Sequence, residues 1–142
     1  MGTALAIAIL AAWLGGYIAY GNWLTNGIKP RSFETSLSAE QLRTIFTNKV
    51  ARTGWKIVDD GNPIVAQSNL ATGIRQQIGL ELHTNAATGK ITARIAAHRW
   101  VSKRFGYPTK AHTMRIRINS FVEAARAAEP SILVSIGELR TR

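Results

Sequence analysis

The chain contains no cysteine, which excludes disulfide bonds, thiolate metal sites and cysteine nucleophiles outright. It also lacks any Asn-x-Ser/Thr acceptor for N-linked sugar. Acidic residues are scarce: 8 Asp and Glu stand against 18 Lys and Arg, for a formal charge of +10. Such an excess draws the protein to anionic surfaces, whether phospholipid headgroups, nucleic acid or an acidic protein, and charge alone does not choose among them. The most informative absence is local. From Met1 to Ile28 there is no charged side chain at all, and the first to follow are Lys29 and Arg31.

That uncharged opening is long enough to span a bilayer. A hydrocarbon core of ~30 Å takes about 20 apolar residues at a rise of ~1.5 Å each, and Ala4 to Leu24 supplies them. Tyr17, Tyr20 and Trp23 then stand at the depth of an interfacial aromatic belt. Ala4, Ala8, Ala12 and Gly16 recur at helical spacing and form a stripe of small residues on which another helix can pack closely, from a partner or from a second copy. Ala6, Ala11, Gly15 and Ala19 lie off the stripe and dilute it. Lys29, Arg31 and Arg43 follow the apolar run and no base precedes it, so the positive-inside rule puts the N-terminus outside and the rest in the cytoplasm. A cleaved secretory signal is the competing reading. It lacks a charged n-region and a small-x-small site after the apolar core, so an uncleaved anchor in the cell membrane is the expectation.

Beyond the anchor, Asn26-Gly27 and Lys29-Pro30 break the helix, and residues 29–37 read as a short extended juxtamembrane leader. Ser38-Ala39-Glu40-Gln41 fits a capping box, with Leu37 and Leu42 at the spacing of a hydrophobic staple. Leu42, Ile45, Phe46 and Val50 give the helix that starts there an apolar face, and Gly54 is placed to stop it. The period then changes to two. Residues 55–59 and 63–67 flank the turn cluster Asp60-Gly61-Asn62, which predicts a hairpin, with Asp59-Asp60 read as turn chemistry and not as a metal or acid/base pair.

Two more strands are predicted over 74–84 and 90–101. In the first, Ile78, Leu80 and Leu82 face one way and Gln77, Glu81 and His83 the other; in the second, Ile91, Ala93, Ile95 and Ala97 oppose Thr92, Arg94, His98 and Trp100. After Pro108 a helix is expected through Ala128, with Ile116 as its misfit; a strand over 113–118 is the alternative. Ser131 to Ile136 is a short apolar run, either a last strand or a dock for a partner. The expected fold is therefore α+β: a transmembrane helix (1–28), a leader (29–37), a basic domain (38–130) of helix, four-stranded antiparallel sheet and helix in two layers, and a tail (131–142).

The most distinctive soluble feature is the interval that holds Lys90, Arg94, Arg99, Lys103, Arg104, Lys110, Arg115 and Arg117 with no Asp or Glu among them. With Trp100, Phe105 and Tyr107 interleaved, it suits contact with lipid headgroups or with the phosphates and bases of nucleic acid. As solvated strand and helix exteriors the same residues would simply add solubility. A tether favours lipid, because it holds the domain at high effective concentration beside the leaflet. No zinc-finger spacing or clear helix-turn-helix supports nucleic acid. Catalysis would have to draw on Glu81, His83, His98 and His112, and no Gly-x-Ser-x-Gly, His-Glu-x-x-His or phosphate loop accompanies them. The sequence thus leads to a non-enzymatic accessory or scaffolding subunit of a membrane protein complex, needing no cofactor or metal. Its partners would be other transmembrane helices and either anionic phospholipid or an acidic protein surface. A membrane-tethered nucleic-acid module is one alternative, and ligand binding or catalysis on the polar sheet face is another.

Overall fold

The computed structural model describes residues 2–69, 75–102, 108–109 and 111–139. Helix α1 (Gly2–Ile28) is long and apolar enough to cross a membrane, and no residue of its most hydrophobic window is buried. Its two ends differ. Residues 2–20 are exposed apart from the half-buried Tyr17, whereas Gly21, Leu24, Gly27 and Ile28 are buried against the rest of the protein.

The helix stops at Ile28, and strand β1 (Arg31–Thr35) begins three residues later. Helix α2 (Ala39–Lys49) follows, and its start obeys the local sequence: the Gln41 N–H donates to Ser38 Oγ at 3.1 Å while the Ser38 N–H donates to Gln41 Oε1 at 2.8 Å. Strands β2 (Trp55–Asp60) and β3 (Ile64–Ser68) form the predicted hairpin. The Gly61 N–H donates to Asp59 Oδ1 at 2.9 Å, which makes Asp59 a turn residue. Asn62, joined to Pro63 by a cis peptide bond, exchanges side-chain hydrogen bonds with the backbone of Leu82 and so fastens the turn to the next strand.

That strand is β4 (Gln77–Thr84), which pairs with β5 (Ile91–Arg99). Ile74, the expected start of the run, lies outside the described residues. After β5 come the two-residue strands β6 (Val101–Ser102) and β7 (Pro108–Thr109), which pair with each other, and then helix α3 (Ala111–Ala128). Residues 113–118 are helical, and the misfit Ile116 is simply exposed, at 48%. The last element is β8 (Ser135–Ile136).

The main sheet has six strands in the order β2-β3-β4-β5-β1-β8, not the four expected, and all its pairings are antiparallel. The two additional strands come from segments assigned to the leader and the tail. The leader is extended as expected, but it lies between β5 and β8, with Phe33 opposite Ala93 and Ser32 opposite both Arg94 and Ser135. Phe33 and Thr35 point into the core while Ser32 and Glu34 face out, a period of two that polar neighbours disguise in the sequence.

Helices α2 and α3 cover one face of the sheet. Phe121 of α3 is the hub, with ring centroids 6.1 Å from Phe33 and 6.2 Å from Phe46. Leu42, Ile64, Ile78, Leu80, Ile95 and Ile118 complete one continuous core that also takes in Leu24 and Ile28 of α1. Helix α1 is thus part of the fold as well as its apolar extension. At the far end, Glu129 closes the structure by accepting hydrogen bonds from the Thr35 and Ser36 hydroxyls.

Candidate functional site

The direction of the chain sorts the charged residues by height. Strand β1 leaves α1 and runs toward Glu129; β5 is antiparallel to it and so brings Arg99 back toward α1, and α3 sets out from beside α1 again. The end of β5, the β6–β7 pair and the first turns of α3 therefore gather next to the last turns of α1, and the β4–β5 turn lies at the opposite end.

The junction of α1 with α3 is held by stacked groups. Trp23 stacks on His112 with centroids 5.7 Å apart, and the Arg115 guanidinium carbon sits 4.0 Å from the centre of the Trp23 ring. Tyr20 stacks on Trp23 from one turn before, at 5.9 Å. Gly27 makes this approach possible: a Cβ there would overlap the Arg115 side chain, whose own Cβ would lie at 3.0 Å. Arg31 completes the junction. Its Nη1 donates to the Lys29 carbonyl at 2.5 Å and its Nη2 to the Asn26 carbonyl at 2.6 Å, so a cation caps the carbonyl end of α1, as the helix dipole favours. Burial, and after it the nearby charge of Arg115, lowers the pKa of the Arg31 guanidinium.

Of the eight bases singled out in the sequence, the five that lie among the described residues are not gathered on one face. Lys90 lies in the far turn, close enough to Glu129 for its charge to be felt there. Arg94 is on the open face of the sheet, directly opposite Ser32 and Glu81, since its neighbours Ala93 and Ile95 are buried on the helix side. Arg99 would share the buried face by strict alternation, but a shift in register between Gln77 and Ile78 pairs it with Gln77 and turns it outward. Arg117 is committed to the fold: it donates to the carbonyls of Val50 at 2.8 Å and Thr53 at 2.9 Å, beyond the end of α2, with its guanidinium 5.1 Å from the Trp55 ring. Burial, with a smaller contribution from the charge of Arg52, lowers its pKa. Lys103, Arg104 and Lys110 lie outside the described residues. Arg115 is brought beside Arg31 at the end of α1, and Arg31 was not among the eight.

The small-residue stripe is uncovered. Ala4, Ala8, Ala12 and Gly16 are all exposed, and nothing lies within 4 Å of a Cβ built on Gly16. At ~100° per residue the stripe faces roughly 150° away from the face formed by Gly21, Leu24, Gly27 and Ile28. The domain's own packing thus uses a different set of residues, Gly21, Leu24, Gly27 and Ile28, from the one noticed in the sequence. Their spacing of three, three and one is helical, but in a segment without charge nothing marks it off from its apolar surroundings.

On the open face of the sheet, Glu81 and His83 stand side by side, with a carboxylate oxygen 3.8 Å from His83 Nε2. His98 is on the same face, near Gly79. Among the described residues no group of three His, Asp or Glu side chains is placed to hold a metal ion. A cavity of about 400 Å3 opens between α3 and the ends of β2 and β3, lined by Trp55, Ser68, Gln76, His112 and Arg117 among others. The Gln76 N–H donates to Ser68 Oγ at 2.8 Å there. Compared with known proteins, the chain matches no family model, no curated protein and no solved structure.

Proposed function

We propose that the protein is a single-pass, non-enzymatic accessory or scaffolding subunit of a membrane protein complex, with its N-terminus outside and its basic α+β domain on the cytoplasmic face. The observation that supports this most is the division of α1. The exposed residues 2–20 extend ~28 Å at ~1.5 Å per residue, close to the thickness of a hydrocarbon core, while the following turns are buried in the domain. An apolar stretch of that size, left exposed by the described residues, calls for lipid or other helices around it.

In this reading the Ala4, Ala8, Ala12 and Gly16 stripe packs against transmembrane helices of the complex. Its direction supports the assignment, because on average it faces away from the side of α1 that is docked on the domain. The bases near the end of α1 meet anionic phospholipid or an acidic partner surface. Mild-detergent purification of the full-length tagged protein, with mass spectrometry of what accompanies it, tests the proposal. A stoichiometric set of membrane proteins that is lost in Gly16→Leu supports it. Recovery of the protein alone, or with nucleic acid, overturns it.

A further inference from the structure

We infer that the α1–α3 junction is a binding site for the phosphate of an anionic phospholipid headgroup, with the guanidinium groups of Arg115 and Arg31 as its two cationic arms. The inference rests on reading α1 as a membrane span. Trp23 then marks the depth of the interface, because it follows the exposed apolar residues 2–20 and lies among the docked turns that begin at Gly21. The Arg115 guanidinium lies over that ring and Arg31 is fixed to the carbonyls of Asn26 and Lys29 at the end of α1, so both bases stand at headgroup height in set positions.

Neither has its charge answered within the described residues. The ion pair found there is Arg43 with Asp60, and the other contact between a base and a carboxylate is His83 with Glu81, both elsewhere. Arg115 packs against Gly27 and Trp23 while Arg31 holds the carbonyl of Asn26, so both lie against the last two turns of α1, and the first turn of α3, which faces the same junction, contains no acidic residue. Arg31 uses two of its five N–H donors on carbonyls, which leaves three for an incoming anion. A planar guanidinium fork suits two phosphate oxygens at once, and an indole under one arm limits the freedom that binding would remove. Lipid is the source of phosphate that this position favours, since the membrane presents headgroups at the site without a diffusional search.

The test uses the full chain. It is first mixed with phosphatidylcholine vesicles and floated through a density gradient after a carbonate wash. It is then taken into zwitterionic detergent, titrated with phosphatidylglycerol or phosphatidylcholine, and the bound lipid is counted by native mass spectrometry. Arg115→Met keeps the stem that packs on Gly27 but removes the charge, Arg115→Lys restores a charge, and Lys90→Gln removes one at the far end. The expected result is preferential retention of phosphatidylglycerol. Loss of one base near an anionic surface corresponds to about a fivefold fall in that preference for Arg115→Met, with partial recovery in Arg115→Lys and none of the loss in Lys90→Gln. All variants should keep the wild-type circular dichroism. Equal retention of the two lipids overturns the inference, as does an equal loss in Lys90→Gln, which would mean diffuse charge. Displacement of the lipid by millimolar inorganic phosphate would assign the site to a soluble anion and overturn the lipid assignment. Failure to float would instead overturn the membrane reading itself, which separates the two outcomes.

Discussion

Arg117 of α3 holds the open end of α2, donating to the carbonyls of Val50 and Thr53 across 67 and 64 residues of sequence. Its charge is spent on the fold and not on a surface. Replacing it with Met removes two charge-assisted hydrogen bonds, each worth about 1.5–3 kcal/mol when fully formed, and exposed geometry reduces that total. Thermal unfolding followed by circular dichroism should show a loss of about 2 kcal/mol, with anionic-lipid preference unchanged. A variant as stable as the wild type would show that water replaces the guanidinium at no cost.

Glu129 makes stability depend on acid. Hydrogen bonds from the Ser36 hydroxyl first and the Thr35 hydroxyl next, helped by the Ser36 N–H and the charge of Lys90, hold its pKa below the ordinary glutamate range against a smaller opposing effect of desolvation. A carboxylate whose pKa is lowered on folding contributes stability that is complete above its unfolded pKa. That contribution is lost as the pH falls through the folded value. Acidification should therefore lower the melting temperature of the wild type more steeply than that of Glu129→Gln. Parallel curves for the two proteins would reject this role.

Gly27 permits the contact between α1 and α3. A larger residue must push the Arg115 stem off its seat beside Trp23. Gly27→Val should cost about 1–3 kcal/mol through overpacking and should raise hydrogen exchange in the first turns of α3 above that in its C-terminal half. Uniform exchange along α3 would show that the helices separate without consequence for each other.

Truncation tests where the domain begins. A chain that starts at Ser38 lacks β1, which lies between β5 and β8, and loses Phe33 from the cluster with Phe46 and Phe121. It should fail to give a cooperative melt, whereas a chain that starts at Gly21 should melt cooperatively. Folding of the shorter chain would show that β5 can serve as an edge.

How these elements read in the sequence depends on how local their causes are. Helix α2 was legible because Ser38 and Gln41 specify its start by themselves, and β4 with β5 because Ile78 to Leu82 and Ile91 to Ala97 alternate over long runs. Strand β1 has only Phe33 and Thr35 facing inward, too few to establish a period, and it exists because β5 and β8 flank it. Strand β8 is two residues long and is likewise a product of its neighbour. The outward turn of Arg99 follows from a register shift that no single strand encodes. The junction was hidden for a different reason. Arg31 and Arg115 are 84 positions apart, and only the return of the chain to α1 brings them together.

Helix α1 runs without interruption from its exposed apolar part into the turns seated on α3, so no slack separates the two. The sheet and the shaft turn as one body. A roll of the shaft about its own axis would sweep the sheet around it. A neighbour that gripped only the outer part of the shaft would therefore set the compass bearing of the whole domain without touching it.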